Sequence, residues 1–137
     1  MALISASSLS RVRLIGLALT GLVCLAFGAS ALILARPDPF SPWIPVAVGL
    51  GAALTLALSA FAAGNRNAEI ATDELYFSES RRAQIIGFWV AVLMYPVFGL
   101  AIGYELISYS VAFSAMGTFT AAAFLLSFSI LNARGGV

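Results

Sequence analysis

The chain has 137 residues, of which 61% are hydrophobic and only 9% are charged, and its formal net charge is +1. Soluble domains carry about a quarter of their residues as charges, and a fold of this size could not remove so much apolar surface from water. The composition therefore excludes an ordinary soluble domain, and the small net charge gives no electrostatic basis for binding nucleic acid.

Four apolar runs are long enough to cross a membrane, since a hydrocarbon core about 30 Å thick needs about 20 residues of helix. They cover residues 14–35, 43–64, 84–104 and 109–131, and none contains a charge between its ends. The first run is longer than the core of about 7–15 residues found in signal peptides, so we expect it to be retained. We therefore predict a single all-α domain of four transmembrane helices, with the lipid bilayer as its solvent.

The arginines are distributed unequally between the two sides of these spans. One side carries Arg11, Arg13, Arg66, Arg81, Arg82 and Arg134, whereas the other carries only Arg36. Because basic residues are retained on the cytoplasmic side, we predict that both termini and the loop at 65–83 are cytoplasmic. All seven basic residues are arginine, which is typical of a GC-rich bacterial genome, and we expect the chain in a bacterial inner membrane.

The loop at 65–83 holds most of the acidic residues and a short apolar group. Thr72 or Asp73 is a suitable N-cap for the third helix, which we expect to begin there and to extend into the cytoplasm. Glu79 and Arg82 are three residues apart on that helix and are expected to pair. The predicted contacts with a partner are Leu75, Tyr76, Phe77, Arg81 and Arg82. Anchoring of the three apolar side chains at the lipid headgroups is the simpler interpretation, and folding under the bundle is a further alternative.

The stretch "DELYFSESRRAQIIGFW" at residues 73–89 combines an Asp-Glu pair, a short polar helix, an arginine pair and an apolar helix. This order resembles a pattern in small uncharacterised four-helix bacterial inner-membrane proteins. The resemblance implies a four-helix bundle in the membrane. It implies no activity, because that group has no assigned chemistry.

Small residues form stripes on three of the predicted helices. Lipid removes the hydrophobic drive between helices, so close packing at small residues has to hold them together. The predicted packing positions are Gly49 and Ala53 in the second helix, Gly99 and Gly103 in the third, and Ser114 and Thr118 in the fourth. The hydroxyls can also bond to a carbonyl four residues earlier, which requires no ligand.

The two helical hairpins resemble each other in sequence. A shift of 71 residues aligns Gly28 with Gly99, and a shift of 68 residues aligns Gly49 with Gly117. Both hairpins would run in the same direction, so the pattern favours a parallel repeat about an axis along the membrane normal. Such a repeat predicts a pseudo-two-fold four-helix bundle.

The chain offers few groups for chemistry. It has no histidine, and its single cysteine, Cys24, lies inside an apolar run, where it is expected to act as a small hydrophobe. No metal-ligand spacing and no pairing of a nucleophile with a base can be assembled. Glu105, at the outer end of the third helix, is the ionisable residue nearest to a span interior. We therefore expect a protein that is not an enzyme and that binds no metal or cofactor.

Spans without ionisable groups, short loops and small-residue faces together favour an accessory or scaffold subunit that packs on a larger membrane complex. The expected partners are other membrane-protein subunits. The alternative is a homo-oligomeric transporter or channel for a small solute, which would use the hydroxyls of the fourth helix and Glu105. Four spans rarely enclose a pathway alone, so that alternative requires several copies of the chain.

Overall fold

The computed structural model describes residues 5–71 and 74–135, and these residues form four helices. α1 comprises Ala6–Ile33, α2 Trp43–Ala71, α3 Glu74–Gly103 and α4 Tyr109–Gly135. Each helix contains a segment long and apolar enough to span a membrane. The prediction of an all-α chain with four such helices is confirmed for the described residues, which have the composition and dimensions of a multi-pass membrane protein.

The helices pack in the spatial order α2, α1, α4, α3. The largest contact joins α1 to α4, with α2 on the other side of α1 and α3 on the other side of α4. A two-fold axis between the hairpins would exchange α1 with α3 and α2 with α4. The α1–α4 contact would then have an equivalent contact between α3 and α2. No contact of that extent joins α3 to α2 among the described residues. The internal repeat therefore stays a prediction, and α2 and α3 form the two edges of an open bundle.

The buried sides of the two central helices follow a spacing of three and four residues, which places side chains on one helical face. In α1 this face comprises Leu9, Arg13, Thr20, Cys24, Phe27 and Ala31. In α4 it comprises Val111, Ala115, Ala122 and Ser129. Most of these side chains are small, and the largest fully buried one is that of Val111. The interior is therefore a set of close helix contacts rather than a wide hydrophobic core.

Three glycines mark close approaches to α4, and one of them is Gly21 of α1, where a Cβ atom would lie 2.9 Å from side-chain atoms of Leu126. A Cβ atom at Gly28 of α1 would lie 2.5 Å from Thr118 Oγ1, and one at Gly87 of α3 would lie 3.1 Å from Phe124 Cβ. These distances are shorter than normal van der Waals contacts, so the missing side chain is what allows the helices to approach. Thr118, a predicted packing position, therefore does lie at a helix contact.

The other small residues of the predicted stripes lie elsewhere. A Cβ atom at Gly49, Gly99 or Gly103 would have open space around it, and Ala53 is exposed. The structure corrects the predicted packing positions accordingly, because the three glycines lie at no close helix contact within the described chain and Ala53 is exposed. A small residue permits a close approach from any direction, and its spacing does not say which helix makes that approach.

α2 changes direction at Gly64, whose φ of 75° and ψ of 163° lie in a region that is essentially restricted to glycine. The helix then continues through residues 65–71, so the predicted loop at 65–83 is helical on both sides of residues 72–73. Thr72 and Asp73, the predicted N-cap residues, lie outside the described residues. α3 begins at Glu74, ten residues before the predicted span, as expected for a helix that extends beyond the membrane.

α3 ends in a Schellman motif, in which two backbone bonds close the last turn around a residue with positive φ. Leu106 N–H donates to Ala101 O and Glu105 N–H donates to Ile102 O, both at 2.9 Å. Glu105 has a φ of 57°, and Ala35, with a φ of 51°, occupies the same place after α1. The turns after α1 and after α3 thus each hold a residue with a side chain at a position where glycine is usually preferred.

Candidate functional site at the arginine-rich end

Five side chains meet where α1 and α3 begin and α4 ends, and we call them the end cluster. They are Arg13 of α1, Tyr76 and Glu79 of α3, and Phe128 and Asn132 of α4. Their contacts place the first turns of α1 and α3 beside the last turns of α4. The segments that carry Arg11, Arg81 and Arg134 therefore lie at the same end of the bundle.

Glu79 is held inside the bundle by α4. Its side chain is 4% exposed, and its Oε2 accepts a hydrogen bond of 2.9 Å from Asn132 Nδ2–H. A carboxyl group at such a site requires donors within the protein, because burial removes its water. The predicted surface pair with Arg82 is corrected by this arrangement, since Arg82 is exposed. Glu79 shares the buried side of α3 with Ala83 and Gly87, at four-residue spacing.

Arg13 lies against an aromatic ring of α3. Its guanidinium carbon is 4.1 Å from the centroid of the Tyr76 ring, and the residue is 8% exposed. A cation over a ring face is attracted by the ring quadrupole, and removal of water strengthens that attraction. The Tyr76 ring also makes an edge-to-face contact with Phe128, at 5.3 Å between centroids. Tyr76 therefore joins α3 to both α1 and α4.

The predicted partner contacts divide into two groups. Tyr76 belongs to contacts within the chain, so the structure removes it from the candidate partner surface. Leu75 and Phe77 are 46% and 63% exposed, and Arg81 and Arg82 are also exposed. These four residues present two apolar and two cationic side chains at the arginine-rich end, which is a composition suited to either headgroups or a protein surface.

Three members of the end cluster were not identified by sequence reasoning, which used Arg13 only to orient the chain and did not consider Phe128 or Asn132. Once the structure shows which side of each helix is buried, the residue spacing accounts for two of them. Arg13 is four residues after the buried Leu9, and Asn132 is three residues after the buried Ser129. Both therefore fall on the inward faces of their helices, where a polar side chain indicates a partner inside the bundle.

Two of the hydroxyls that would line a solute path, those of Ser114 and Thr118, have hydrogen-bond partners within the chain. Thr118 Oγ1 donates to Ser114 O at 2.9 Å, as expected for a threonine that bonds to its own helix. Ser114 Oγ donates to Pro37 O at 2.6 Å and so ties α4 to the turn between α1 and α2. Glu105 is exposed in the turn after α3, away from these hydroxyls in sequence and not bonded to them in the described structure.

Among the described residues, no three histidine, cysteine, aspartate or glutamate side chains lie close enough together to hold a metal ion. Comparison with family models, with curated proteins and with solved structures gives no match. Function therefore has to be inferred from the composition of the chain, the packing of its helices and the chemistry of its surfaces.

Proposed function

We propose that this chain is a small non-catalytic integral membrane protein that serves as an accessory or scaffold subunit of a larger membrane complex. We place it in the bacterial inner membrane with both termini in the cytoplasm, following the distribution of its arginines. The observation that carries the proposal is the position of α2, which packs mainly on α1 at one edge of the bundle. Most of its apolar surface thus has no neighbour within the chain.

The exposed side of α2 is composed of large and small apolar residues in adjacent rows. The side towards α1 carries the buried Ser59 and Ala63, whereas Leu54 and Phe61 are among the most exposed large side chains. The row of small residues that includes Gly49 and Ala53 runs between the two sides. Small residues allow a second helix backbone to approach closely, which is the main source of helix association in lipid. This surface therefore supports lateral docking of another transmembrane helix.

The opposite edge has a similar opening. Gly99 and Gly103 of α3 are exposed at four-residue spacing, and a Cβ atom at either position would meet open space. A transmembrane helix could approach there at short distance as well. Two unpartnered edges favour a subunit that lies between other membrane proteins.

Gentle solubilisation of native membranes tests the proposal. The chain should be recovered in a heteromeric particle much larger than its own 14.3 kDa in detergent. Gly49→Leu should release it from that particle, because the added side chain obstructs the docking surface without a clash inside the chain. Gly51→Leu is the matched control. Position 51 is rotated by about 200° from position 49 around the helix axis, so its leucine would lie on the opposite side of α2 from the row that contains Gly49 and Ala53.

Two outcomes would contradict the proposal. One is equal loss of the large particle in Gly49→Leu and Gly51→Leu, which would indicate a general effect of added bulk. The other is a purified protein that forms a discrete homo-oligomer and transports a solute in liposomes, with transport abolished by Glu105→Gln. That second result would establish the transporter alternative.

A reporter fused after Val137 tests the proposed orientation separately. A cytoplasmic signal is expected, because six of the seven arginines lie on the side of the termini and the 65–83 segment. A periplasmic signal would overturn the orientation without affecting the docking proposal.

A further inference from the structure

We propose that a recess beside the start of α1 binds the headgroup phosphate of an anionic phospholipid. The recess has a volume of about 370 Å³ and lies between the first turns of α1 and the last turns of α4. It is lined by Ser7, Ser10, Arg11, Leu14, Ile15 and Asn132. The site is remote in sequence from the α2 surface proposed for a protein partner, so the two proposals can fail independently.

The polar part of the recess provides donors for a phosphate. Ser7 and Ser10 contribute hydroxyls, and Arg11 contributes a guanidinium, which can form two parallel hydrogen bonds to phosphate oxygens. Arg11 is exposed, whereas the neighbouring Arg13 is buried over the Tyr76 ring. No described residue that lines the recess is acidic, so no lining carboxylate competes for the guanidinium.

The apolar part of the recess distinguishes a lipid from a free phosphate. Leu14 and Ile15 follow the polar residues along α1, and Ile15 is 56% exposed. Four residues separate Arg11 from Ile15, which is about 6 Å along a helix axis. A phospholipid has the same order, since its charged phosphate is joined through a short glycerol segment to its acyl chains. Inorganic phosphate would use only the polar residues and would leave the apolar ones uncovered.

The location of the recess also suits an anionic lipid. It adjoins the end cluster through Asn132, at the end of the bundle where α1 begins and α4 ends. Basic pockets between transmembrane helices on the cytoplasmic side bind anionic headgroups, and the surface potential of that leaflet is produced by the same lipids. The helix pair thus presents a cation, hydroxyls and an apolar surface at the depth where headgroup and acyl chain meet.

Native mass spectrometry of the full chain in detergent, titrated with dioleoyl phosphatidylglycerol, tests the proposal. The wild type should retain this lipid in preference to dioleoyl phosphatidylcholine. Arg11→Gln should weaken retention about tenfold, the loss expected for a hydrogen-bonded charge pair. Arg66→Gln is the matched control, because Arg66 is an exposed arginine outside both the recess and the candidate partner surface, and it should retain the lipid like the wild type.

Thermal unfolding in detergent provides a second measurement. Phosphatidylglycerol should raise the unfolding midpoint of the wild type and of Arg66→Gln, and raise that of Arg11→Gln much less. Inorganic phosphate at the same concentration should leave the midpoint unchanged. The proposal is overturned if Arg11→Gln and Arg66→Gln lose lipid equally, or if inorganic phosphate reproduces the shift. The first result would indicate general surface charge, and the second a site for free phosphate.

Discussion

The side-chain amide of Asn132 donates a hydrogen bond of 2.9 Å to the carboxyl group of Glu79, 53 residues earlier in the chain. The bond connects the last turns of α4 with the first turns of α3. Because Glu79 is 4% exposed, water does not readily replace a missing donor there. A buried polar pair of this kind is more sensitive to the loss of one member than an exposed pair.

Replacement of the donor should therefore destabilise the fold. We expect Asn132→Ala to lower the free energy of unfolding by about 1–3 kcal/mol, because the Glu79 oxygen stays buried without its donor. Reversible unfolding in detergent micelles, followed by circular dichroism, measures this change. Asn65→Ala is the control at an exposed asparagine and should have an effect below about 0.5 kcal/mol. Equal effects of the two substitutions would show that the bond does not stabilise the bundle.

The contact between Arg13 and Tyr76 should appear as an energetic coupling between α1 and α3. In a double-mutant cycle of Arg13→Gln and Tyr76→Leu, we expect a coupling of about 0.5–2 kcal/mol, as for a partly desolvated cation over a ring. A second cycle pairs Tyr76→Leu with Arg82→Gln, an exposed arginine, and should be additive. The interpretation fails if the Arg13 cycle is additive as well.

The α1–α4 contact at Gly28 should not tolerate a methyl group. In Gly28→Ala the new Cβ would lie 2.5 Å from Thr118 Oγ1, so either the Thr118 side chain would lose its present position and its bond to Ser114 O, or the helices would separate. We expect a loss of about 1–3 kcal/mol in the free energy of unfolding. Gly16→Ala lies on the same helix with open space around its Cβ and should be neutral or slightly stabilising. Similar losses in both variants would mean that helix packing does not depend on this approach.

The turn after α3 should become more stable with glycine at position 105. Glu105 has a φ of 57°, a conformation that costs a residue with a side chain more than it costs glycine. We expect Glu105→Gly to raise the free energy of unfolding by about 0.5–1 kcal/mol. Glu105→Ala keeps a Cβ in the same conformation and should show no such gain. A gain of the same size in the alanine variant would assign the effect to the lost carboxylate and not to the backbone.

The features predicted correctly from the sequence are those that depend only on whether a segment is apolar enough for lipid. The low charge content required a membrane, and four apolar runs separated by polar or proline-containing segments required four helices. The start of the third helix ahead of its span followed from the uninterrupted stretch before Gly87, and α3 begins at Glu74. These features depend on local composition and length, which are fully present in the sequence.

The end cluster was harder to predict because, at a membrane surface, an arginine or a glutamate can lie either in water or inside the bundle. An arginine such as Arg13 contributes to the predicted orientation whether it faces water or the bundle interior. Its burial over Tyr76 depends on the rotation of α1 relative to α3, which no local pattern specifies. The same holds for Glu79, which could pair with Arg82 on its own helix or with Asn132 on another.

The sequence alone predicted the four helices of membrane-spanning length that the described residues form, and the orientation stays a prediction from its arginines. Only the tertiary structure decided that α1 and α4 are central and that Gly28, not Gly99, lies at a helix contact. The physical reason is the solvent. In water a helix shows its inward face by an apolar stripe, but in lipid both faces are apolar, so hydrophobic periodicity no longer identifies neighbours. Which helices pack together then depends on the fit of particular side chains, such as that of Thr118 in α4 against the backbone of Gly28 in α1.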